Sequence, residues 1–163
     1  MKKLFAVMLL LAAILGGSMT TAEPSGVEWK SVSEALEAAP KQNRKIVLDV
    51  YTDWCGWCKR MDKDTYADSA VAAYLADHYV AGKMNPEKPG ELTFDNRKFT
   101  QAEFGAALEI RGYPATAFFN EKGELLTVVA GYLGPKDFLR ILRFFGEDAY
   151  KTTSWEEFAK ANP

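Results

Sequence analysis

The 163-residue chain contains two cysteines, and they stand two residues apart in Trp54-Cys55-Gly56-Trp57-Cys58. A bridge between them would close so short a loop that it crosslinks almost nothing. The fold must therefore be held by packing alone, and the pair is free to cycle. The apolar run Ile46-Val47-Leu48-Asp49-Val50-Tyr51 before the pair reads as a buried strand. Lys59-Arg60-Met61-Asp62-Lys63 after it continues as a helix. Cys55 is thus expected where strand gives way to helix, at the unpaired N–H groups and positive dipole end that stabilise an anion. Such positions lower a cysteine pKa from about 8.5 to roughly 3.5–7.5. Cys58, one turn later, is placed to attack a mixed disulfide formed on Cys55. The spacing predicts a dithiol redox site. A structural zinc site would need about four ligands, and His78 is the only histidine; no metal is expected.

The N-terminus reads as a secretory leader, with Lys2 and Lys3 ahead of an apolar stretch from Leu4 to Leu15 and a small-residue cleavage site at Thr20-Thr21-Ala22. The apolar stretch is shorter than the roughly 20 residues a membrane span requires, so no stable membrane insertion is expected after cleavage; an uncleaved N-terminal anchor is the alternative. Residues 1–22 are assigned to the leader and residues 23–163 to one domain, long enough for a real core. The leader carries two lysines and no acid, so its removal takes the formal charge from −2 to −4. That mild acidity argues against nucleic acid as a partner. The expected location is periplasmic or otherwise exported, as a soluble protein.

Along the chain, Ser31-Val32-Ser33-Glu34 reads as a capping box opening a helix that ends near Pro40. Asp68-Ser69 opens another over Ala70 to His78, and Tyr79 to Met84 is a strand. Pro86 to Asn96 reads as loop, and Thr100-Gln101-Ala102-Glu103 caps a helix to about Leu108. Ala115–Phe119 and Leu125–Ala130 pair as a hairpin around Asn120-Glu121-Lys122-Gly123. Gly134-Pro135 starts the helix Lys136 to Phe145, and Ser154-Trp155-Glu156-Glu157 caps a short terminal helix. Alternating units followed by a hairpin imply an α/β fold, a mixed central sheet flanked by helices.

From about Lys45 to Phe145 the chain resembles the thioredoxin family. Four matches in order carry the likeness: Val47-Leu48-Asp49-Val50 through Trp54-Cys55-Gly56-Trp57-Cys58-Lys59; Val80-Ala81-Gly82-Lys83-Met84-Asn85; Ile110-Arg111-Gly112-Tyr113-Pro114 with the strand and Gly123 after it; and Gly131. Within the family it looks most like exported, thioredoxin-related proteins of the SoxW-like kind. Trp57 stands where thioredoxins usually carry proline, and the Pro86–Phe104 segment is longer than in a minimal thioredoxin.

The resemblance implies a thioredoxin fold, with Cys55 as the exposed attacking thiolate and Cys58 as the buried resolving thiol. It also implies a cis peptide bond at Tyr113-Pro114, where the backbone of Tyr113 would pair with an extended substrate segment. The Tyr113 ring is expected to form a groove wall with Trp54 and Trp57. Asp49 sits among apolar neighbours, where burial raises a carboxyl pKa and suits it to take the proton from Cys58; family members assign that role to the matching aspartate. Strand alternation also allows it to face solvent. Lys83 matches a lysine near that aspartate, with a solvated surface position as the alternative. Gly56 is expected to let the backbone bend between the cysteines, Trp57 to present a flat apolar surface, and Trp54 to serve mainly as core packing. His78 is expected to face solvent, and Phe94, Phe99 and Phe104 suit either a core or a partner surface.

These residues point to a thiol–disulfide oxidoreductase needing no cofactor beyond the Cys55–Cys58 dithiol. Asp49, the Trp-Cys-Gly start and Lys59 resemble the reducing branch of the family, so protein disulfides are the expected substrates. A reductase in an oxidising compartment must be recharged, which implies a membrane electron donor. The alternatives are a dithiol oxidase or isomerase, and a non-catalytic peptide-binding or chaperone module.

Overall fold

The computed structural model describes residues 26–163; the expected leader lies outside the described residues. Five strands form one sheet in the order β1 (Lys30–Ser31), β3 (Tyr79–Met84), β2 (Lys45–Val50), β6 (Ala115–Phe119), β7 (Leu125–Ala130). The first three are parallel, while β6 runs antiparallel to β2 and β7 antiparallel to β6. Every residue of β2 is buried, as a central strand covered on both faces requires. This is a mixed sheet flanked by helices, the thioredoxin fold expected.

The alternation of β2 divides the core in two. Ile46, Leu48 and Val50 pack with helix α1 (Val32–Gln42), helix α4 (Gln101–Ala107) and Phe119 on one face. Val47 packs on the other face with Met61, Tyr66, Leu75, Phe138 and Leu142, which come from helices α2 (Gly56–Met61), α3 (Ser69–His78) and α5 (Pro135–Gly146) and from the π-helical turn Asp62–Tyr66. A period of two sends Asp49 to the same face as Val47. The sheet therefore delivers a carboxylate beneath the helix that carries Cys58.

The helix starts follow local chemistry. Ser31, Thr100 and Ser154 each form a complete capping box with the glutamate three residues on, and Asp68 accepts from Ala70 N and Val71 N at the start of α3. Helix α1 runs past Pro40 to Gln42, ended by Asn43 in the left-handed region. Beyond α5, a 3₁₀ turn (Ala149–Lys151) leads to α6 (Trp155–Ala161).

The expected loop over Pro86–Asn96 is corrected by the structure. Strands β4 (Glu91–Phe94) and β5 (Arg97–Thr100) form a separate hairpin there. Its two turn residues, Asp95 and Asn96, both take positive φ, 49° and 59°, which matches the twist of an antiparallel pair. Leu92 is buried, and the rings of Phe94 and Phe99 lie 5.1 and 5.7 Å from that of Phe104. All three phenylalanines belong to the α1-side core.

Candidate active site

Strand β2 is prolonged by Tyr51, whose N–H donates to Met84 O at 3.0 Å. The chain then turns, with Cys55 N donating to Thr52 O, and Cys55 becomes the N-cap of α2. Cys58 lies in the first turn of that helix and its amide donates to Cys55 Sγ at 3.0 Å. The two sulfurs form a disulfide, with Cα atoms 5.3 Å apart. Cys55 Sγ thus accepts a backbone N–H at the start of a helix, where the dipole favours negative charge.

An exposed Cys55 beside a buried Cys58 is not what the structure contains, since both residues are buried in the disulfide. Trp54 and Trp57, exposed to 67% and 55%, stand out instead. The expectation that Trp54 packs into the core is likewise overturned. It lies on a turn rather than on a sheet face, and its indole N–H needs an acceptor, which the Glu87 carboxylate supplies at 3.0 Å from each oxygen. Gly56 is also corrected: its φ is not positive and a Cβ there would meet nothing within 4 Å. Its backbone does not demand glycine.

Asp49 is 2% exposed and does not face solvent. Its Oδ1 accepts from the Tyr66 hydroxyl at 3.2 Å, and its Oδ2 lies 3.6 Å from Lys83 Nζ. Burial pushes its pKa up to about 6; Lys83 pulls it down, while Asp62 adds to the rise. Tyr66 is held well above its ordinary value by its own burial and then by the Asp49 charge. Lys83, directly opposite Asp49 on β3, is no solvated surface lysine. It is closer to Asp62, at 2.5 Å, than to Asp49.

The Tyr113–Pro114 peptide bond is cis. Gly131 donates to Pro114 O at 2.8 Å with φ +92°, a conformation open to glycine and strained for other residues. The aromatic groove wall is rearranged. Trp54 meets Tyr113 edge-on at 6.0 Å, whereas Trp57 pairs with Tyr132 at 5.4 Å, with Arg60 over both rings. His78 is exposed and stacks on Tyr74 at 4.1 Å. Among the described residues no cluster of three or more His, Cys, Asp or Glu side chains could hold a metal.

Sequence reasoning missed Asp62, Tyr66, Glu87 and Tyr132. Asp62 had a signal, since it falls four residues after Cys58 and therefore on the same helix face. Glu87 and Tyr132 reach the site only through the tertiary fold.

The sequence signature of the thioredoxin-like domain matches residues 32–146. The chain is 35% identical over 116 residues to the thiol:disulfide interchange protein DsbD of Ralstonia nicotianae, covering 69% of this chain and 17% of that protein. It is 33% identical over 113 residues to DsbD of Actinobacillus pleuropneumoniae, covering 68% of this chain and 18% of the relative. It thus spans less than a fifth of either. Among solved structures, a thioredoxin-fold protein from Helicobacter pylori superposes with a TM-score of 0.66 at 21% identity, over 74% of this chain and 80% of that one. With the signature covering most of the described residues, the chain belongs to the thioredoxin-like domain family.

Proposed function

We propose that this chain is a thioredoxin-like thiol–disulfide oxidoreductase that works as an exported reductase of disulfides in other proteins. The observation that carries the reading is the Cys55–Cys58 disulfide at the start of α2, with Cys55 Sγ accepting the Cys58 amide. In the reduced protein, the Cys55 thiolate attacks a substrate disulfide and expels one substrate thiolate, leaving a mixed disulfide. Cys58 gives its proton to the Asp49 carboxylate, attacks Cys55 Sγ and expels the second substrate thiolate. Two electrons have passed to the substrate and the chain holds its disulfide. A membrane dithiol donor returns it to the starting state by the reverse exchange.

The cis turn at Tyr113-Pro114 offers backbone to an extended substrate, and the exposed rings of Trp54 and Trp57 give the partner apolar surface. Lys83 and Gly131 support the site without touching the substrate. Export and a periplasmic place rest on the leader expected over residues 1–22. Among the described residues no helix is long and apolar enough to cross a membrane. The membrane donor rests on the thermodynamic need for recharging and on likeness to part of proteins named as interchange proteins. The reading is built on the family, not on the narrower SoxW-like subgroup.

Cys55→Ser tests it. The variant is expected to lose insulin-disulfide reduction essentially completely while remaining folded. Retained reduction would end the reading, and retained function in a peptide-binding assay alone would favour a binding module.

A further inference from the structure

Lys83 is shared between two carboxylates, and the sharing is unequal. Its Nζ hydrogen-bonds Asp62 Oδ1 at 2.5 Å and lies 3.6 Å from Asp49 Oδ2. Three rings fix the ammonium group, with Trp29 and Tyr51 centroids each at 5.0 Å and that of Tyr66 at 6.0 Å. Aromatic faces attract a cation, so Lys83 occupies a built position rather than sweeping through solvent. Its side chain is 20% exposed, whereas that of Asp62 is 43% exposed. Asp62 lies four residues after Cys58, at the point where α2 passes into the π-helical turn. That turn also carries Tyr66 onto Asp49.

We infer that Asp62 is a positioning residue, competing with Asp49 for Lys83 and thereby governing how the proton acceptor of the redox site is charged. The inference rests on the reading of Asp49 as the group that takes the Cys58 proton. The groups packed against Asp49 are few. Strand β3 contributes Lys83, the π-helical turn contributes Asp62 and Tyr66, and β6 places Thr116 opposite in register. Of the cations on that stretch, Lys59 and Lys63 are exposed, and Arg60 pairs with Asp64 at 3.1 Å and lies over Trp57 and Tyr132. Lys83 is thus the cation that balances Asp49, and Asp62 draws it outward. Both the diverted cation and the added negative charge make Asp49 hold its proton to higher pH. Without Asp62, Lys83 is released toward a carboxylate in a drier, stronger field.

The test follows the Asp49 side-chain carboxyl by 13C NMR titration of the disulfide form, comparing wild type with Asp62→Asn, Lys83→Met and the double variant. Asp62→Asn is expected to lower the Asp49 midpoint by about one pH unit, a roughly tenfold weaker hold on the proton. Lys83→Met is expected to raise it, and in that background Asp62→Asn has a much smaller effect. Asp62→Glu restores the wild-type midpoint. An unchanged midpoint in Asp62→Asn overturns the inference. So does an equal shift with and without Lys83, because Asp62 would then act by its own field rather than through the lysine. If Lys83→Met does not fold, Lys83→Gln replaces it. The readout needs no turnover: a midpoint that moves while the pH profile of insulin reduction stays fixed supports the competition and instead removes Asp49 from the proposed mechanism.

Discussion

Asp49 has traded water for one tyrosine hydroxyl and an ammonium group 3.6 Å away. Its pKa in the fold, about 6, lies above the ordinary 3.8. The native state therefore binds its proton more tightly than the unfolded chain. The stability this gives is fully present below about pH 4 and is lost as pH rises through about 6. The loss at neutral pH is on the order of 2–3 kcal/mol. Asp49→Asn removes the ionisation, so it is expected to raise Tm at pH 7.5 while changing it little at pH 4, by differential scanning calorimetry. Equal effects at both pH values would contradict the burial argument. At this scale the sequence was legible where a residue's position follows from its own strand or helix. Cys55 at the helix cap and Asp49 on a buried strand were both readable. Trp54 was not, because its exposure depends on Glu87, which lies 33 positions away.

Four helices were readable because their starts carry side-chain caps, at Ser31, Asp68, Thr100 and Ser154, and α5 because Pro135 stands in its first turn. The β4–β5 hairpin was hidden by Pro86, Pro89 and Gly90, which read as loop; Asp95 and Asn96 are residue types that tolerate the left-handed region its turn uses. Strand β1 has two residues and no pattern of its own; its pairing with β3 makes it a strand. The hairpin is part of the core, because Phe94 and Phe99 close over the fully buried Phe104. Phe104→Ala is expected to cost about 3–5 kcal/mol in urea unfolding, with little change in the chemistry at Cys55. A cost below about 1 kcal/mol would mean that the segment is an appendage to the core rather than a part of it.

At the scale of the whole molecule, the order of strands and helices implied the mixed sheet, and that sheet places Asp49, the N-terminus of α2 and the cis turn at one end of the core. What one sequence does not encode locally is the balance among Asp49, Lys83 and Asp62, which meet only when β2, β3 and the π-helical turn are packed together. Which redox form is more stable sets the direction of electron flow. The reduction potential of the Cys55–Cys58 pair, by equilibration of residues 23–163 against dithiothreitol, therefore tests the proposed reductase most directly. The account predicts a value near the thioredoxin one of about −270 mV; a value near −120 mV, that of a strong oxidant, would contradict it.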